Sequence, residues 1–188
     1  MKRTITYLFI LIWPLLTCNS RPDMHIDNTP VKNFELSRYL GTWYEIARYP
    51  HSFEKNLVGV TATYSMREDG KIKVVNSGYE LTLTGKFKTI TGKAKVADDP
   101  ATGHLKVSFF LFFYGDYRII ELDTADYKYA IVGSRSDKYL WILSRTPVLP
   151  KETVDMLLEK IKAKGYSVDK LIWVNQKPLI KFKEGKTI

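Results

Sequence analysis

From Gly41 to Ser144 the chain alternates apolar and polar positions in short runs, each closed by turn-forming residues. Successive side chains on a strand point to opposite faces, so this period of two predicts strands. The runs fall at residues 42–49, 57–66, 71–79, 86–97, 104–112, 116–122, 127–135 and 138–144. EDGK at 68–71, LTG at 83–85, DDPATG at 98–103 and SRSDK at 134–138 supply turns between them. Eight strands joined this tightly predict an antiparallel meander, hence an all-β barrel or sandwich. An eight-stranded antiparallel up-and-down β-barrel also removes the sheet edges that invite aggregation. The period changes once: Val154, Leu157, Leu158 and Ile161 recur at i, i+3, i+4 and i+7. That stripe predicts one α-helix between Pro150 and Gly165, packed outside the sheet. LIWVN at 171–175 predicts a short last strand.

Each run has an inward parity. For residues 57–66 it is Val58, Val60, Ala62 and Tyr64; for the third run, Ile72, Val74 and Asn76. Ile90, Gly92, Ala94 and Val96 follow, then Leu105, Val107, Phe109 and Leu111. The parity of Trp43 turns Glu45 and Ala47 inward, and Glu121 is read with them. In the eighth run either Tyr139, Trp141 and Leu143 or Leu140, Ile142 and Ser144 face in. Two features point to a cavity rather than a solid core. Ala47, Ala62, Gly92 and Ala94 are small, which leaves space an eight-stranded barrel can give to one ligand. Buried carboxylates and amides need partners or water. Glu45 and Glu121 are read as a satisfied network near the barrel floor. Asn76 and the hydroxyls of Tyr64, Tyr117 and Tyr139 are read as groups that orient a ligand's polar end.

Composition adds charge and aromatics. The 188 residues carry a net charge of +9, with 12 Tyr, 9 Phe and 4 Trp. The basic excess suits an anionic membrane surface. Nucleic acid is excluded as a partner, because the lysines are scattered and no nucleic-acid motif accompanies them. At the front, two basic residues precede an apolar run from Tyr7 to Leu16, which reads as a signal peptide over residues 1–17. Cys18 is the single cysteine, so no internal disulfide forms. LLTC at 15–18 resembles the lipobox of bacterial lipoproteins, with Thr17 where that motif usually has Gly, Ala or Ser. Cys18 is therefore the expected lipidation site, and residues 18–33, with Pro22 and Pro30, the tether. Residues 177–188 form a basic tail. His25, His51 and His104 lack metal-ligand spacing, and neither a nucleophile elbow nor a phosphate loop appears, so no metal or cofactor is expected.

Three blocks in order resemble the lipocalins, and most closely the bacterial outer-membrane lipocalins and apolipoprotein D. Gly41-Thr42-Trp43 is similar to their Gly-x-Trp motif. Thr124, Asp126 and Tyr127 resemble the second motif with one residue inserted, and Arg145 the third motif's arginine. The resemblance covers residues 34–176 and implies a calyx whose floor is capped by Gly41, Trp43 and Arg145. It favours Tyr139, Trp141 and Leu143 as the inward set, and places YPHSFEKNL at 49–57 over the opening. With the parities above, the candidate ligand-binding residues are Ala47, Val60, Ala62, Tyr64, Val74, Asn76, Ala94, Val107, Phe109, Tyr117, Tyr139 and Trp141. The implied function is a lipid-anchored binder of fatty acids, lysophospholipids or similar amphiphiles at the outer membrane, not an enzyme. A haem-like or sterol-like ligand is the alternative. So is a filled barrel that works through its surface, where FFLFFYG at 109–115 could touch a membrane or form a homodimer.

Overall fold

The computed structural model of the chain describes residues 26–177. The expected signal peptide, Cys18 and all but the first residue of the basic tail lie outside the described residues. Eight antiparallel strands form the barrel: β1 (Gly41–Arg48), β2 (Leu57–Met66), β3 (Ile72–Glu80), β4 (Phe87–Val96), β5 (His104–Phe110), β6 (Phe113–Leu122), β7 (Tyr129–Gly133) and β8 (Leu140–Ser144). Helix α1 (Leu36–Tyr39) crosses beneath β1, helix α2 (Lys151–Ala163) follows β8, and β9 (Ile172–Trp173) comes last. The period-two runs thus became strands within a few residues of expectation. The short α1 gave no periodic signal because one helical turn is too brief to show one.

Closure depends on β1, which pairs on one side with β8 and on the other with β2. The second seam is forked. Only Gly41–Tyr44 pair with β2, whereas Ala47 and Arg48 pair with β9. The chain after β9 bridges the fork: Gly59 N–H donates to Asn175 O at 2.8 Å, and Gln176 Nε2 donates to both Glu45 O and Val60 O at 2.8 Å.

Helix α2 lays its apolar side on the outer wall. Leu157 and Ile161 are fully buried there against Tyr44, Ile120, Ile131 and Ile142. A second core lies inside, at the floor, around Tyr39, Trp43, Tyr64, Leu105 and Leu122. The Arg145 guanidinium stacks 3.8 Å above the Trp43 ring and donates to Arg38 O at 2.7 Å and Thr42 O at 3.1 Å. Trp43 Nε1–H donates to Tyr39 O at 2.8 Å, so the ring's one polar group is satisfied. Gly41 takes φ +94°, a left-handed conformation that disfavours any residue with a Cβ, directly under Arg145. The cap rests on shape, cation–π attraction and hydrogen bonds to backbone carbonyls.

Irregularities in strand pairing decide which side chains face in. Register shifts occur in β1 between Glu45 and Ala47, in β2 between Val58 and Thr61, and in β6 between Ile119 and Glu121. Each extra residue reverses the alternation beyond it. Ala47 consequently lies in the outer core beneath α2, Val58 faces the outside, and Glu121 pairs with Lys160 of α2 at 2.8 Å. All three were expected inside; the bulges correct them.

Because Gln176 holds the forked seam, Gln176→Leu should leave the Glu45 and Val60 carbonyls buried without donors. The expected loss is about 1–3 kcal/mol per carbonyl, measured by chemical denaturation.

Candidate functional site

Above the floor the barrel holds an open cavity of about 900 Å³. That exceeds a packing defect and falls in the range of about 300–1,000 Å³ typical of ligand pockets. A filled barrel is therefore at odds with the structure. Val60, Ala62, Tyr64, Val74, Asn76, Val107, Phe109, Tyr117, Tyr139 and Trp141 all line it, so Tyr139, Trp141 and Leu143 are the inward set of β8. Ala47 and Ala94 do not line it. Ala47 was turned out by the β1 bulge, and Ala94 points inward but is fully buried in the floor core. Parity predicts a face; it says nothing of height along the barrel. Leu111, also expected inside, sits 60% exposed in the tight turn between β5 and β6.

Small residues keep the space open. A side-chain carbon built on Gly92 would fall 2.6 Å from the Phe109 ring, so the glycine lets that aromatic lie across the wall. At the bottom, Tyr117 shares short O···O contacts with Tyr39 (2.7 Å) and Tyr64 (2.9 Å). Burial pushes all three phenols above their ordinary range, so this cluster is neutral and closes the cavity without charge. The Asn76 side-chain oxygen is buried with no donor, a polar point on an otherwise apolar wall.

One wall is ionic. Arg48 Nη1 donates to Glu45 Oε1 at 2.6 Å, and Nη2 to Glu54 O at 2.7 Å. Trp141 Nε1 donates to Glu54 Oε2 at 3.2 Å. His51 Nε2 lies 2.9 Å from the same oxygen without hydrogen-bond direction, and its ring stacks on Phe53 at 3.8 Å. Glu45, Arg48 and Glu54 are each 5% exposed or less. Glu45 is thus satisfied as expected, but its partner is Arg48 on the cavity wall, and Glu121 plays no part. His51 and Glu54 were not singled out as site residues. Their i, i+3 spacing in the loop expected over the opening was the available signal. At the mouth, Lys55 and Arg135 line the cavity, and neither side chain makes an ion pair among the described residues. Outside this wall a second hollow of about 650 Å³ runs between the loop and β9, sharing Lys55 and Leu57 with the cavity.

An eight-stranded barrel closed at its floor, open at its mouth and flanked by one outer helix is a calyx. A family model described as a lipocalin-like domain matches residues 34–176, and the chain belongs to that family. It is 51% identical to the outer membrane lipoprotein Blc of Citrobacter freundii over 148 residues, 79% of this chain and 82% of that one. Identity to the outer membrane lipoprotein Blc of Vibrio cholerae is 47%, over 78% and 85% of the two chains. Apolipoprotein D of Mus musculus is 33% identical over 174 residues, 86% and 89%. Among solved structures, insecticyanin of the tobacco hornworm Manduca sexta matches with a TM-score of 0.64 at 27% identity, over 79% of this chain and 84% of that one.

Burial raises the Glu45 carboxyl well above its ordinary range; Glu54 adds to this and Arg48 opposes it. A carboxyl whose folded pKa is raised stabilises the fold below its ordinary pKa and loses that contribution as pH climbs through the raised value. Glu45→Gln should therefore gain stability relative to the parent as pH rises from 4.5 to 8. Denaturation midpoints at both pH values check this; a constant difference refutes it.

Proposed function

We propose that the chain is a lipid-anchored lipocalin of the bacterial outer membrane that binds a single-chain amphiphile, a fatty acid or lysophospholipid, tail first in its cavity. The observation that carries the reading is the polarity gradient of that cavity. Val60, Val74, Val107 and Leu143 line its interior, while the unpaired cations Lys55 and Arg135 lie at its mouth. An acyl chain gains by leaving water at about 0.8 kcal/mol per buried CH₂. A phosphate or carboxylate stays near solvent and meets the two cations. The lipoprotein names of the bacterial relatives support the location, and the Thr17-Cys18 junction supports acylation at Cys18. Storage, transport or maintenance of membrane lipid follows from a carrier held at the envelope. The reading is of a binder.

Titration of the delipidated chain with lysophospholipid, followed by tryptophan fluorescence and native mass spectrometry, should show one amphiphile per barrel. Trp141→Phe should remove most of the optical signal. Ala62→Trp, which fills the cavity from mid-wall, should abolish uptake in a chain that remains folded by circular dichroism. Lys55→Glu and Arg135→Glu should each weaken binding of an anionic amphiphile by up to about fivefold. Equal affinity of the Ala62→Trp chain and the parent would sink the cavity reading.

A further inference from the structure

The turn between β5 and β6 is the most apolar exposed feature of the described chain. Phe110, Leu111, Phe112 and Phe113 are 67%, 60%, 84% and 75% exposed. Ordinary soluble surfaces scatter their apolar residues singly, so a contiguous run of four marks a contact surface. The turn stands at the open end of the barrel, the end that also carries the 49–56 loop, where Phe53 is exposed, and the 81–86 loop, where Leu81 is 70% exposed.

The backbone sharpens this. Leu81 and Leu111 hold φ angles of +61° and +47°, in the left-handed region that glycine or asparagine occupies at less cost. At two loop tips on the same rim the sequence keeps leucine where a small polar residue would relieve strain and improve solubility. Packing within the molecule does not account for it, because both side chains are mostly exposed.

Charge identifies the occupant. Lys93 Nζ lies 5.9 Å from the Phe112 ring, and Lys95 Nζ lies 5.0 Å from Tyr114. Neither lysine forms an ion pair among the described residues. Exposed aromatics with flanking lysines suit the boundary of an anionic bilayer, where rings sit among acyl chains and ammonium groups among headgroups.

The described chain also begins at the open half. Asp27 bonds to Lys164 at the end of α2, and Asn28 Nδ2 donates to Arg135 O beside the mouth, before the segment descends to Phe34 at the floor. Ile26 is eight residues beyond Cys18, a distance of at most about 28 Å even when fully extended. With the acylation proposed above, the anchor would hold the chain from its mouth end, which favours that end as the one near the membrane.

We propose that the barrel mouth docks on the membrane that carries the anchor, with the Phe110–Phe113 turn inserted among the lipids and Lys93 and Lys95 on anionic headgroups. An amphiphile then passes between bilayer and cavity without crossing bulk water. The proposal rests on the anchor proposed above, whose loss flotation reports separately; the surface is distinct from the cavity, so docking and amphiphile binding can each fail alone.

The full chain isolated from bacterial envelopes is reconstituted in vesicles of phosphatidylethanolamine and phosphatidylglycerol. An environment-sensitive fluorophore is attached through Phe112→Cys or, at the opposite end, Glu68→Cys. The parent reports background labelling at Cys18, and flotation reports attachment. Docking predicts a blue shift and quenching by spin-labelled lipid at position 112, with neither at 68. Paired Lys93→Glu and Lys95→Glu substitutions should reduce the quenching to its level in neutral phosphatidylcholine vesicles. Failure to float, or silence at position 112 on vesicles, overturns the proposal. So does a blue shift without lipid quenching that accompanies cross-linking between copies, since a second chain then covers the turn.

Discussion

The forked seam of β1 is the constraint on which the rest of the structure depends. A barrel closes only if its first strand satisfies both edges, and here β1 pairs with β8 over Tyr44–Arg48 but with β2 only over its lower half, Gly41–Tyr44. Above that point β1 and β2 diverge, and the segment from Ile172 to Gln176 bridges them. The divergence widens the barrel above the floor. The narrow lower half is filled by Trp43, Tyr39 and Tyr64, while the wider upper half holds the cavity. The bulges in β1 and β2 lie at the fork, where strands must bend away from one another.

Much of this was legible in the sequence because half-buried strands write their period directly into residue order. Val60, Ala62, Tyr64 and Val74 line the cavity as alternation predicted. The Gly41, Trp43 and Arg145 contacts followed from three spaced motifs, whose order mattered more than any one of them. What escaped was pairwise. A bulge is a mismatch in residue count between two strands, so a single strand read alone carries no sign of it. That is why Ala47, Val58 and Glu121 were assigned to the wrong face together. Ala94 failed differently: its face was right, but the floor core reaches higher on β4 than composition can tell.

The ionic wall shows the same limit and adds an energetic point. Two carboxylates, a guanidinium and an imidazole are withdrawn from water beside an apolar cavity. Buried ion pairs seldom add net stability over well-packed apolar residues, because desolvation consumes most of the Coulombic gain. The cluster is better explained by position than by strength. Arg48 stands at the upper end of β1, above the point where that strand parts from β2, and donates to backbone carbonyls at Glu54 and Leu57, tying down the loop that covers the fork. Trp141, the register partner of Arg48 on neighbouring β8, donates to Glu54, so loop and barrel share one network.

That placement bears on how the cavity communicates with its surroundings. The loop is the partition between the cavity and the outer hollow beside β9, since Lys55 and Leu57 face both. Directional charged contacts hold such a partition in one geometry more sharply than apolar packing, because removing either partner leaves an uncompensated charge in the wall. The opposite rim ends in the exposed turn at Phe110–Phe113. The mouth is therefore asymmetric. Its β1–β2 side is pinned by hydrogen bonds to the barrel wall, and its β5–β6 side presents exposed apolar surface.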